Sequence, residues 1–227
     1  MDRSFEKRFN RYRSFFSRHL KKYIEERFYS LESDPRIFEI IQDISFHDCE
    51  RWKSGPIEYL SPREALALGI HLGMGEDHPW LLDKYFGRVM EYLEWSIHHS
   101  QCKRTQSLAH LALGVILFEK AVHSPVSEQR NMLFLSRYYL EETIETTYTK
   151  SSREVIMIYQ ALVEVCLDNL PGALKFLAKA GKISESPLPI WKILASVYKN
   201  LGQERVSAFY MNKINSWKME NKVVLAA

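Results

Sequence analysis

Residues 157–181 read MIYQALVEVCLDNLPGALKFLAKAG, and residues 191–215 read WKILASVYKNLGQERVSAFYMNKIN. The two stretches align without a gap, so that Ala161 matches Ala195 and Ala173 matches Ser207. A fixed period of about 34 residues is typical of stacked helix–turn–helix units, which bury their apolar faces against one another. The small residues at the matched positions let the two helices of a unit approach closely. The stretch therefore predicts an all-α fold built from repeated helix pairs.

Helical signals continue through most of the chain. Ser61-Pro62-Arg63-Glu64 combines an N-cap serine, a proline at the first helical position and a capping-box glutamate. Ser127, and Ser151 with Glu154, are predicted to cap two later helices. No hairpin signal separates alternating apolar residues, so no strand is predicted. We predict about ten helices, at 3–29, 35–45, 61–74, 79–101, 104–121, 127–148, 152–168, 171–181, 187–200 and 203–219.

The last helix pair carries the residues of a known repeat pattern at matching offsets. They are Trp191, Leu194, Ala195 and Tyr198 on the first helix, Gly202 in the turn and Ser207 on the second helix. In these residues the chain resembles the tetratricopeptide repeat family. The preceding pair keeps Ala161, Ala173, Leu177 and Ala180 but lacks the tryptophan and the tyrosine. The resemblance implies a right-handed superhelical solenoid.

Looser copies of the pattern extend towards the N-terminus. Residues 107–144 keep Leu113-Gly114, Ser136 and Leu140, with a predicted turn from His123 to Gln129 that is about ten residues longer than the family's. Leu68-Gly69 and the helix pair at 61–100 suggest a fourth copy. We therefore predict a repeat domain over 61–227, preceded by a basic aromatic helix and a short helical cap over 1–60.

The resemblance also implies a binding groove, because the family's first helices line a concave surface. Six groove positions are apolar: Leu111, Val115, Phe118, Ile158, Leu162 and Val165. Four on the last repeat are polar or basic: Lys192, Ser196, Lys199 and Asn200. Such a groove fits an amphipathic protein or peptide segment with an acidic flank. The alternative is that the chain's own helices cover the apolar positions as core.

The first thirty residues form a second candidate binding element, with nine Lys/Arg against four Asp/Glu. Phe5, Phe9, Tyr12, Phe16, Leu20 and Tyr23 form an aromatic stripe. The opposite, basic face carries Lys7, Arg8, Arg11, Arg18, Lys21 and Lys22. Three interpretations remain open: a helix docked on the repeats, a helix that binds an anionic membrane or an acidic partner, and a nucleic-acid-binding helix. Homodimerisation through this stripe or through the groove is a further possibility.

Candidate chemical sites are weak. Glu94, His98 and Cys102 share a helix face, but they span about 12 Å, too far for all three to bind one metal ion. His47, Asp48 and Cys49 are neighbours in the sequence, but adjacency does not specify the spatial arrangement that a catalytic triad needs, and a loop or helix end is the favoured interpretation. Gly69, Gly73 and Gly75 lack the Lys-Ser/Thr of a phosphate loop and are better explained by helix termination. We predict no enzymatic activity, no metal and no cofactor.

Composition agrees with a folded binding protein. The chain has 227 residues, of which 46% are hydrophobic and 26% charged. Its longest apolar run, 111–118, is far shorter than the ~20 residues that span a bilayer. Three cysteines at wide spacing favour a reducing compartment, and we expect a cytoplasmic location. The sequence thus predicts an adaptor, scaffold or chaperone-like interaction module, with a membrane- or nucleic-acid-tethering regulator as the alternative.

Overall fold

The computed structural model describes residues 55–74, 79–146 and 150–224. Within these ranges the chain forms a short 3₁₀ turn, Ile57–Tyr59, and eight α-helices, and it contains no strand. The helices are α1 Pro62–Met74, α2 Pro79–His99, α3 Lys103–His123, α4 Val126–Thr146, α5 Lys150–Cys166, α6 Leu170–Ile183, α7 Leu188–Asn200 and α8 Glu204–Val224. The all-α prediction is confirmed for this part of the chain. The helices predicted at 3–29 and 35–45 lie outside it.

The described residues fall into two compact units that divide between residues 148 and 149. In the first unit, α1 packs on α2 and α3 packs on α4, while α3 also contacts α1 and α2. In the second unit, α5 packs on α6, α7 packs on α8, and α6 contacts α7. Among the described residues, each unit therefore contains two consecutive helix pairs. The boundary predicted at residue 60 stays a prediction, because residues 1–54 lie outside the described ranges.

The sequence repeat appears in the backbone geometry of the second unit. The turns that follow α5 and α7 contain the same pair of hydrogen bonds, from the N–H groups to carbonyl oxygens of the preceding helix. After α5, the Asn169 N–H donates to the Glu164 carbonyl oxygen (2.8 Å) and the Asp168 N–H donates to that of Val165 (3.2 Å). After α7, the Gln203 N–H donates to the Tyr198 carbonyl oxygen (2.9 Å) and the Gly202 N–H donates to that of Lys199 (3.0 Å). This is the Schellman pattern, in which a left-handed residue ends the helix. Both helix pairs of this unit thus turn in the same way.

A serine hydroxyl bridges the two helices in one pair of each unit. Ser136 Oγ donates to the carbonyl oxygen of Gly114 at 2.6 Å, and Ser207 Oγ donates to that of Ala195 at 2.8 Å. Both serines are buried, so the bonds satisfy hydroxyl groups that have no access to water. The two bonds join residues that the sequence alignment places at equivalent positions, which supports the match between the looser copy and the last copy.

The long turn predicted between His123 and Gln129 is wrong. Only Ser124 and Pro125 separate α3 from α4, and each of these helices has 21 residues. The serine bridges span 22 residues in this pair and 12 in the last pair, a difference of ten. The additional residues therefore lengthen the two helices instead of forming a loop. Pro125 is compatible with this junction because a proline just before or at a helix start removes no helical hydrogen bond.

Glycines in the first unit mark close helix contacts. A methyl group on Gly69 would lie 2.6 Å from the Leu93 side chain, and one on Gly73 would collide with Ile116. Helix α1 ends at Met74, where the sequence predicts its end, so Gly73 lies in the last turn, whereas Gly69 lies inside the helix and does not terminate it. Gly75 lies outside the described residues. The close approach of α2 and α3 to α1 explains the absence of side chains at Gly69 and Gly73.

The predicted capping box at the start of α1 is confirmed. The Ser61 N–H donates to Glu64 Oε2 at 2.8 Å, and the Glu64 N–H donates to Ser61 Oγ at 3.3 Å. The other two serine caps are wrong, because α4 begins at Val126 and α5 begins at Lys150. Glu154 instead accepts a hydrogen bond from Ser184 Oγ at 2.8 Å.

Candidate interaction surface

Helix α7 presents the four polar residues of the predicted groove on one face. Lys192, Lys199 and Asn200 are exposed, and Ser196 is half-buried. Their spacing of four, three and one residues places them on one side of a helix with 3.6 residues per turn. The sequence of α7, LPIWKILASVYKN, contains no acidic residue. This face therefore carries two positive charges that no acid on the same helix offsets.

The remainder of α7 fixes this face in position. Five of its residues are buried: Ile190, Ile193, Leu194, Ala195 and Val197. They anchor the helix against α6 and α8, both of which contact it. Burial of this apolar face supplies most of the energy that holds a short helix, because a helix of 13 residues is marginal alone. The polar face is thus presented by a helix that packing holds in place.

Lys213 of α8 adds a third ammonium group close to the start of this face. Its Nζ lies 5.3 Å from the centroid of the Trp191 ring and 4.9 Å from that of Phe209. A cation over aromatic faces gains about 0.5–1 kcal/mol at exposed sites. Trp191 precedes Lys192 in the chain, so Lys213 lies over the ring of the residue next to Lys192.

The six apolar groove residues are buried in the structure. The exposed fractions of Leu111, Val115, Phe118, Ile158, Leu162 and Val165 lie between 1% and 6%. On α3 the burial extends around the whole helix, because every residue from 111 to 118 is buried. A partner segment that reached these side chains would have to displace the groups that cover them. Their role in partner binding stays a prediction.

Helix α5 buries polar side chains where the family pattern has Leu and Tyr. Gln160 aligns with Leu194 of the last repeat and is 1% exposed, yet neither its Nε2 nor its Oε1 makes a hydrogen bond. Glu164 aligns with Tyr198 and accepts a hydrogen bond from Asn169 Nδ2 at 2.6 Å. The Asn169 side chain in turn caps α6 by accepting from the Gly172 N–H at 3.2 Å. Glu164 therefore stabilises the turn, whereas Gln160 is an unsatisfied polar group.

Of the three residues Glu94, His98 and Cys102, the first makes a hydrogen bond and the other two are exposed. Glu94 Oε1 accepts a hydrogen bond from the Tyr139 hydroxyl at 3.2 Å. Burial, together with this carboxylate, raises the pKa of Tyr139 to about 12. His98 and Cys102 are exposed. Among the residues that the structure describes, no group of three His, Cys, Asp or Glu side chains is arranged to bind a metal ion.

Cys102 and His110 also have shifted pKa values. Cys102 is exposed at the start of α3, where the backbone N–H and hydroxyl of Thr105 lower the pKa of its thiol. Burial lowers the pKa of His110, whose ring centroid lies 6.0 Å from that of Tyr139.

Several predicted site residues lie outside the described ranges. These are the basic-face residues Lys7, Arg8, Arg11, Arg18, Lys21 and Lys22, and the cluster His47-Asp48-Cys49. Their roles, including membrane or nucleic-acid binding, stay predictions. Searched over the described residues, the helices include none with the length and apolar character to cross a membrane.

Comparisons with known proteins give no family assignment. No family model, curated protein or solved structure matches the chain. The likeness to tetratricopeptide repeats therefore stays a resemblance in the matched residues of the sequence.

Helix α4 carries an exposed apolar surface that the repeat pattern does not predict. Phe134, Leu135 and Tyr138 are 46%, 47% and 54% exposed. The helical spacing of the sequence indicates their exposure, because they lie on the side of α4 away from Ser136 and Leu140. The repeat pattern assigns Ser136 and Leu140 to the contact with α3. Large apolar side chains on the outward side of a packed helix indicate a surface that is not covered.

Proposed function

We propose that the chain is a protein-interaction module that binds an acidic segment of a partner protein along the polar face of α7. The observation that carries this proposal is the exposure of Lys192, Lys199 and Asn200 on one side of a helix without acidic residues. Carboxylates of a partner would pair with the two ammonium groups. The Asn200 amide offers both a donor and an acceptor for the partner's backbone.

The charges contribute more to the orientation and association rate of the partner than to its affinity. An exposed ion pair contributes about 0–1 kcal/mol, so two lysines alone give weak binding. Complementary charge increases the association rate and selects against basic partners. Tight binding therefore needs apolar contacts as well, and the resemblance to tetratricopeptide repeats assigns those in the same unit as α7 to Ile158, Leu162 and Val165. In this proposal the polar face of α7 receives the acidic flank of the partner segment.

The lysines provide a cleaner test of this proposal than the apolar positions. Leu162 is 3% exposed, so a Leu162→Glu variant would place a carboxylate in a buried site and lose stability as well as binding. A Lys192→Glu/Lys199→Glu variant changes only exposed side chains. Lys175→Glu/Lys182→Glu is the matched control, because both of these lysines are exposed on the neighbouring α6.

A selection from displayed random peptides would use the full chain and these two variants as bait. We expect the wild-type chain and the α6 control to enrich peptides that contain an acidic cluster. The α7 variant should lose that enrichment while it keeps the wild-type circular dichroism spectrum. Enrichment of the same acidic peptides by the α7 variant, or none by the wild-type chain, would contradict the proposal.

A further inference from the structure

The outward side of α4 carries a row of charge and apolar groups. We call Phe134, Leu135 and Tyr138 the α4 outer patch. Arg130 precedes the patch, Glu141 follows it, and both are exposed. The opposite side of α4 is occupied, because Leu133, Ser136 and Leu140 are buried and α4 packs on α3. The patch therefore faces away from the contact that holds the helix.

The two charged residues and the two aromatic residues share one helix face. At 100° per residue, Arg130, Phe134, Tyr138 and Glu141 fall within an arc of about 80°. Eleven positions separate Arg130 from Glu141, a distance of about 16 Å along the helix axis. Along this arc the order is positive, aromatic, aromatic and negative, and Arg137 lies at its margin, paired with Glu141.

A second copy of this row, laid antiparallel to the first, places opposite charges against each other at both ends. If a second α4 lies antiparallel across a two-fold axis between Phe134 and Tyr138, each Phe134 meets the partner's Tyr138. The same arrangement brings each Arg130 to the partner's Glu141. A two-fold interface repeats every contact twice, which makes a self-complementary row of this kind effective. We propose that the α4 outer patch is a homodimer interface that pairs antiparallel with a second copy of this chain.

The charges favour a second copy over a partner of uniform charge. An acidic partner laid along this face would meet Glu141, and a basic partner would meet Arg130, at the cost of like-charge repulsion. The present contacts of both residues are replaceable. Arg130 lies over the Phe134 ring at 5.8 Å, and Glu141 Oε1 lies 3.4 Å from Arg137 Nε in a solvent-exposed pair. Such exposed contacts contribute little and would not prevent new pairing.

The expected dimer is weak. A helix of 21 residues is about 31 Å long, and one helix pair buries less surface than a stable dimer of standard size. Dimer formation should therefore depend on protein concentration. This interface is separate from the polar face of α7 and does not rest on the function proposed for that face.

A charge exchange tests the interface directly. Sedimentation velocity of the purified full chain, recorded over a wide range of concentrations, would compare wild type with Arg130→Glu, Glu141→Arg and the double variant. Each single substitution places like charges opposite each other, and we expect it to raise the dimer dissociation constant about tenfold or more. The double variant restores opposite charges at both ends and should return the constant to within about threefold of wild type.

Two further variants complete the test. Tyr138→Lys should abolish the dimer, whereas Lys103→Glu should leave it unchanged, because Lys103 is exposed at the start of α3 and is not on α4. Circular dichroism of each variant confirms that α-helical content is kept. A wild-type chain that is monomeric throughout would overturn the proposal. So would a dimer that survives Tyr138→Lys, or a double variant that is no better than the single ones.

Discussion

Asp168 and Gly202 occupy equivalent positions in the two aligned repeats and end α5 and α7 in the same left-handed backbone conformation, with φ of 63° and 73°. A left-handed conformation is accessible to glycine without steric cost, whereas other L-residues pay about 1–2 kcal/mol, with Asp and Asn at the low end. The same turn is therefore built with strain after α5 and without it after α7. The aspartate at this position shows that the turn geometry is set by the helix pair and not by glycine alone.

Exchanging residue types at these two positions should change stability in opposite directions. We expect Asp168→Gly to raise the free energy of unfolding by up to about 1 kcal/mol. Gly202→Ala should lower it by about 1 kcal/mol, because a methyl group there meets nothing within 4 Å and only the backbone conformation is penalised. Urea denaturation followed by circular dichroism measures both changes. A loss of stability in Asp168→Gly would contradict the strain assigned to Asp168.

The close contact between α3 and α4 should not tolerate a methyl group. In Gly114→Ala the new Cβ would lie 2.6 Å from Leu140 Cγ and 3.4 Å from the Leu140 backbone nitrogen. Overpacking of this kind costs about 1–3 kcal/mol in unfolding free energy. Gly87→Ala is the matched control, because a methyl group on this α2 residue meets nothing within 4 Å and should add about 0.5–1 kcal/mol through helix propensity. Equal effects of the two substitutions would show that α4 does not approach Gly114 closely.

The unsatisfied amide of Gln160 makes this position a site for stabilisation. We expect Gln160→Leu, which introduces the residue type found at the matched position 194, to raise the unfolding free energy by about 1–3 kcal/mol. Gln160→Glu should lower it, because it buries a charge without a partner. Denaturation midpoints of the two variants would be compared with wild type. If Gln160→Leu is less stable than wild type, the amide has hydrogen-bond partners in solution.

His110 should contribute to acid destabilisation. Burial lowers its pKa in the folded state, so the unfolded chain binds the proton more tightly. The stabilising contribution of the neutral imidazole is present above the unfolded-state pKa of about 6.5 and is lost as the pH falls below it. His110→Phe should therefore reduce the loss of unfolding free energy between about pH 7 and about pH 5. His123→Gln, a change at an exposed histidine, is the control and should keep the wild-type pH dependence.

Local signals in the sequence predict the helices well. The capping box of Ser61 and Glu64 forms as predicted, and the sequence repeat reappears in the turns after α5 and α7. These features depend on residues close together in the chain. The junction at Ser124 and Pro125 differs from the predicted long turn because α3 and α4 are longer than the helices of the family's repeat. Proline is tolerated at a helix start, so the residues on either side could stay helical.

Burial is harder to infer because it depends on what lies over a helix. The same apolar spacing on α3 and α5 describes an open groove or a covered core, and the structure buries all six positions. Gly69 suggests a helix end by composition, but close packing against Leu93 explains it. The α4 outer patch was missed for the same reason, since apolar residues on both sides of a helix are equally consistent with full burial.

The most direct test of the proposed function is the affinity of the full chain for an acidic peptide obtained from the display selection. Isothermal titration calorimetry would compare wild type, Lys192→Glu/Lys199→Glu and the α6 control Lys175→Glu/Lys182→Glu. We expect the α7 variant to bind about tenfold more weakly or worse, and the control to match wild type, because only the α7 lysines pair with the peptide. Equal affinities for wild type and the α7 variant would contradict the assignment of the partner-binding surface to α7.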